Sequence, residues 1–163
     1  MHKGSKDLAH ELIRQAALAG ATIAKFQFGW TRETQEALGL EYKPVRYVDE
    51  WAADLDRWCD YYAIELMASI WSLSGLNVAE SVEMKRYKIA AQLAGNYDLC
   101  DKIYRSYDKS VFVSLDRHSP YSEYHKNQTF SHMLWCKSRY PVYPEDIRKT
   151  AEYPGMPDDM AYP

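Results

Sequence analysis

The chain has 163 residues, 47% of them hydrophobic, and a net charge of −3, which fits one folded domain and excludes a disordered composition. Lys and Arg form no stripe, no apolar run is long enough to span a membrane, and no signal-peptide core follows the N-terminus, so neither nucleic acid nor membrane is an expected partner. Cys59, Cys100 and Cys136 are odd in number, widely spaced and without a C-x-x-C pair, the pattern of reduced thiols in a cytoplasmic protein.

In chain order, residues 5–20 put Leu8, Leu12, Ile13, Ala16 and Ala17 on one helical face, with Ser5 as N-cap and Gly20 as the stop. Residues 21–28, ATIAKFQF, follow as an apolar run of strand length. A helix over 47–63 turns Trp51, Leu55, Trp58 and Cys59 inward and leads to a second strand at 64–70. A short helix over 77–85 precedes a third strand at 86–92. A helix over 96–109, with Leu99, Cys100, Ile103 and Tyr104 in register, precedes a fourth strand at 110–115. Residues 121–130 read as helix or irregular chain, 131–137 as a fifth strand, and 143–153 as a Pro-started last helix. The chain divides into one unit over 1–150 and a loose Pro-rich tail over 151–163.

Strands alternating with helices over short links mean parallel βα units, and such sheets gather their chemistry at the carboxyl ends of the strands. Polar residues recur there. Lys25 and Gln27 are expected at the end of the first strand, Ser69 at the end of the second, Lys88 inside the third, Ser114 at the end of the fourth, and Cys136-Lys137-Ser138 at the end of the fifth. Two ammonium groups and two hydroxyls meeting at one rim would make an anion site. The competing reading makes the lysines snorkelling strand-end residues and the serines loop caps. His2, His10, His118, His125 and His132 show no metal spacing; His125 and His132, seven apart, read as solvated or core. Trp51, Trp58 and Trp71 read as core, Cys136 as packing beside Trp135, and Asp158-Asp159 as solvent-facing.

The same residues carry a family likeness. HKGSKDLAHELIRQAALAGATIAKFQ resembles the opening of the sialic acid synthase family, N-H-x-G, a helix, then G-A-d-x-x-K-F-Q. MASIWS is similar to the family's a-S-x-[FW]-d, YKIAAQ to K-I-a-S, DKSVFVSL to K-P-v-x-x-S-t-G, and LWCKSRYPVYPEDI to L-h-C-t-s-x-Y-P-t-p-x-e-d-v. Five ordered matches run from His2 to Ile147. The resemblance implies a (β/α)₈ barrel, here partial, with about five parallel strands. Its reaction condenses phosphoenolpyruvate with an N-acetylmannosamine-type sugar to a nine-carbon sialic acid, using a divalent metal, manganese or magnesium. By the same resemblance Lys25 and Lys88 hold the phosphoenolpyruvate anion, Ser69 and Ser114 stand near it, and Gln27 shares the rim.

The departures are equally specific. The family's metal histidine before the Cys falls on Trp135, the K-I-A-S serine is Ala91 and the S-t-G glycine is Asp116. Against the family pattern, the strand before N-H-x-G with its glutamate, and the S-D-H-T segment with the second metal histidine, are expected to be absent at the two ends. The chain is therefore expected to bind no metal and to show two exposed sheet edges that favour homo-oligomers. Two functions follow: an enzyme of the sialic acid synthase type, or an anion-binding or interaction module derived from it. A flavodoxin-like sheet is a weaker third, since no phosphate loop supports it.

Overall fold

Five parallel strands lie side by side in chain order, and the segments between them fold mostly into helices. The computed structural model describes residues 4–41, 48–106, 109–116, 119–136 and 143. The expected last helix over 143–153, the tail, His2, His118, Lys137 and Ser138 lie, apart from Tyr143, outside the described residues.

Helix α1 (Lys6–Leu18) begins where the Ser5 hydroxyl accepts the Leu8 N–H at 3.2 Å, and the chain leaves it through Gly20 at φ +83°. Strand β1 (Ile23–Phe28) follows, then α2 (Arg32–Ala37), capped by the Thr31 hydroxyl. A 3₁₀ turn at Val48–Trp51 runs into α3 (Ala52–Tyr61), which packs beside α1 and leads to β2 (Glu65–Ile70). Helix α4 (Leu73–Ser81) starts at the Ser72 cap, ahead of the expected 77–85. Gly75 looks like a breaker in sequence, yet it is the close-approach residue of this helix. A Cβ there would lie 2.5 Å from the Phe28 carbonyl carbon, so only glycine lets α4 rest on the end of β1.

Strand β3 (Arg86–Ile89) is shorter than the expected 86–92, because Ala91–Leu93 coil into a 3₁₀ turn before α5 (Tyr97–Tyr104). Strand β4 (Ser110–Leu115), α6 (Ser122–Lys126) and β5 (Ser131–Trp135) complete the described elements. The architecture is the expected one, a partial barrel-like α/β unit of five parallel strands.

The two faces of the sheet differ sharply. Residues paired across neighbouring strands point to the same side, and alternate residues to opposite sides. Ala24, Phe28, Leu66, Ala68, Ile70, Tyr87, Ile89, Val111, Val113 and Leu115 are all buried in one core with Ile13, Leu55, Cys59, Leu76 and Ile103 from the helices. The near-continuous apolar character of β2 and β4 belongs to strands with neighbours on both sides. His125, fully buried, ties α6 to the rest. The Ala94 carbonyl accepts from its Nε2 at 2.9 Å, so Nδ1 is the free lone pair and accepts the Tyr104 hydroxyl at 2.7 Å. His125 is thus a satisfied core histidine.

Candidate anion-binding site

The other face carries the polar residues. Cross-strand register aligns Gln27 with Ser69, Ser69 with Lys88, Lys88 with Phe112, and Phe112 with His132 in one row. One step toward the amino ends, Lys25 aligns with Met67, and Arg86 with Ser110. One step toward the carboxyl ends, Ser114 aligns with Leu134. All five residues singled out in the sequence, Lys25, Gln27, Ser69, Lys88 and Ser114, therefore share one face. They do not share one level: consecutive rows are about 7 Å apart along the strands. Lys25 is the third residue of six in β1, so it sits in mid-strand and not at the carboxyl end.

Exposure varies within a row. Lys25, Gln27 and His132 are exposed and Lys88 is half-buried, while Ser69 and Ser114 are buried. The Ser72 hydroxyl, not Ser69, caps α4, and neither the Ser69 nor the Ser114 side chain hydrogen-bonds another described residue. Among the described residues no carboxylate lies within ion-pair distance of Lys25 or Lys88. Burial, and after it the Lys25 charge, push the Lys88 ammonium down to about 8, against a smaller opposing influence of Cys136. Two like charges on one face, with no carboxylate partner among the described residues, repel one another, and a bound anion would relieve that repulsion.

The exit from β1 is fixed from beneath. Gly29, at φ +75°, donates its N–H to both carboxylate oxygens of Asp49 at 2.9 and 3.1 Å, and burial raises the Asp49 pKa despite that bond. Trp30 meets Trp71 edge-on, with ring centroids 4.3 Å apart, above the carboxyl ends of β1 and β2. The indole N–H of Trp71 is buried and has no hydrogen-bond partner among the described residues. The sequence reading placed Trp71 in the core, and there it lies, 8% exposed in the buried apolar cluster.

Trp135, at the family's metal-histidine position, pairs with Leu115 and so faces the helix side, away from Lys88. An indole has no lone pair to offer a cation. Among the described residues no three His, Cys, Asp or Glu side chains come together as a metal set.

Residues 12–151 match the family model described as NeuB family. No curated protein sequence matches the chain. Among solved structures, it is similar to an N-acetylneuraminic acid (sialic acid) synthetase from Leptospira borgpetersenii serovar Hardjo-bovis, with a TM-score of 0.74 and 24% identity over 92% of this chain and 55% of that one. It is also similar to the spore coat polysaccharide biosynthesis protein spsE of Bacillus subtilis, with a TM-score of 0.70 and 22% identity over 88% of this chain and 43% of that one. A truncated 3-deoxy-D-arabino-heptulosonate 7-phosphate synthase from Thermotoga maritima shares the fold more distantly, at a TM-score of 0.55 and 15% identity, over 83% of this chain and 47% of that one. The chain thus spans about half the length of these structures.

Proposed function

Since the chain belongs to the NeuB family, we propose that its polar sheet face holds a phosphoenolpyruvate-type anion in carbohydrate biosynthesis of the sialic acid synthase kind. The observation that carries this is the pair Lys25 and Lys88, on one face with no carboxylate partner among the described residues and with Lys88 depressed by burial and by Lys25. Lysine supplies a compact point charge suited to phosphate and carboxylate, and Ser69 and Ser114 add short donors on the same face. A half-buried ammonium acts on an anion through less water than a surface lysine does. In the family's reaction the anion is phosphoenolpyruvate and its acceptor an N-acetylmannosamine-type sugar.

A second reading, anion binding without condensation, is favoured by one observation. Trp135 stands at the metal-histidine position and turns to the helix side, and the described residues supply no set of metal donors. No step is therefore routed through a metal.

Calorimetric titration with phosphoenolpyruvate and a phosphate-release assay separate the two readings. Phosphoenolpyruvate should bind the wild-type chain, more weakly at higher salt, and about tenfold more weakly in Lys25→Ala and in Lys88→Ala. Equal affinity in both variants contradicts the anion site. With N-acetylmannosamine and manganese added, the chain should release no phosphate. Manganese-dependent release would instead favour the synthase reading.

A further inference from the structure

We infer that the groove between α4 and α5 is a second ligand site, and that it takes a small hydroxylated carboxylate of the sugar-acid class. The groove lies on the helix side of the sheet, across it from Lys25 and Lys88, and its volume of about 460 Å³ is that of a small-molecule site. One wall is the α4 face of Leu73, Leu76, Asn77 and Glu80; the other is the end of α5, where Lys102, Arg105 and Ser106 stand. Lys102 and Arg105 lie one turn apart and line the same groove, and among the described residues no carboxylate is within ion-pair distance of either. A single carboxylate can take both. Glu80, on the facing wall, repels a second acidic head but accepts hydroxyl hydrogens, and Asn77 both donates and accepts. A molecule with one carboxylate and several hydroxyls matches this lining; a multiply charged anion such as phosphoenolpyruvate does not.

Behind the Glu80 and Ser106 side chains lies a donor without an acceptor. Tyr87 is fully buried, and its hydroxyl has no hydrogen-bond partner among the described residues. Burial, and after it the Glu80 charge, push the Tyr87 phenol up to about 12, against a smaller opposing influence of Ser106, so both groove residues stand beside it. Ser106 donates its proton to Glu80 at 2.7 Å, a bond that ties the end of α5 to α4. Held in that orientation, Ser106 does not accept the Tyr87 hydroxyl. A ligand hydroxyl that takes the place of Ser106 on Glu80 frees Ser106 to turn and accept the Tyr87 proton. Binding then satisfies a buried donor that the unliganded protein leaves unpaired.

Calorimetric titration with N-acetylneuraminate tests the site, with N-acetylmannosamine as the uncharged control and acetate as the control without hydroxyls. N-acetylneuraminate should bind, and each control about tenfold more weakly or less. Lys102→Ala and Arg105→Ala should each weaken N-acetylneuraminate about tenfold. Lys25→Ala and Lys88→Ala should leave it unchanged, which separates failure of this groove from failure of the anion site on the other face. Tyr87→Phe removes the unpaired hydroxyl and keeps the ring; it should weaken N-acetylneuraminate about threefold and leave the unliganded thermal midpoint unchanged or higher. No binding of N-acetylneuraminate, controls that bind as well as it does, affinity unchanged in the Lys102, Arg105 or Tyr87 variants, or a lower unliganded midpoint in Tyr87→Phe would overturn the assignment.

Discussion

Lys88 shows how a single side chain can serve binding at the expense of the fold. Burial and the Lys25 charge hold it at about 8, against about 10.4 for a free lysine. The folded protein thus gives up this proton before the unfolded chain does, so the unfolded state binds more protons between those values and stability rises as pH climbs through that window. Lys88→Met removes the penalised charge and should raise stability by about 1 kcal/mol, after allowance for partial exposure, while weakening phosphoenolpyruvate binding about tenfold. Urea denaturation of both proteins at pH 7 checks it. His125 has the same sign and the same leading cause: burial keeps its folded form neutral below the ordinary histidine value. Acidification charges the unfolded histidine first, and stability falls as pH drops through about 6.5. The titratable groups around it, Tyr104, Tyr124 and through Tyr124 Asp101, come from α5 and α6. Thermal midpoints between pH 7.5 and 5.5 should show a slope that His125→Phe reduces, even in a less stable variant.

At the scale of elements, chain reversals and close approaches decide what the sequence could reveal. Strand and helix periods made all five strands legible, because β2 and β4 are apolar runs and α1, α3 and α5 carry clean amphipathic faces. Helix α4 was misplaced, since its Gly75 answers to Phe28, a contact forty-odd residues away that no local pattern announces. Gly75→Ala should therefore destabilise by about 1–3 kcal/mol, as backbone cannot yield to the new methyl. The reverse change should help elsewhere. Ala63 and Glu83 end α3 and α4 at φ 53° and 50°, the left-handed region that glycine enters freely. Ala63→Gly should gain about 0.5–1 kcal/mol, less whatever the freer unfolded chain recovers. Denaturant midpoints of the two variants, moving in opposite directions, would bear out both accounts.

For the whole molecule, the division of the sheet into a helix-covered face and a polar face carries the functional reading. Strand ends and the family likeness were enough to select Lys25, Gln27, Ser69, Lys88 and Ser114 from the sequence. Their spread over three rows was not legible, because it depends on inter-strand register, and the sequence reading placed Lys25 at a strand end. Trp135 was assigned by motif to a metal position, yet its pairing with Leu115 turns it to the helix side. Among the described residues no helix is long and apolar enough to cross a membrane. The edges β1 and β5 each pair with one neighbour there. The most direct test of the central claim is the pKa of the Lys88 ammonium, followed by ¹³C NMR of ε-labelled lysine and assigned by its loss in Lys88→Met. Without ligand, one lysine should titrate near 8, and saturating phosphoenolpyruvate should move it upward, because a bound anion favours the charged form. A Lys88 signal that titrates like the surface lysines, or stays where it was with phosphoenolpyruvate bound, would contradict the account.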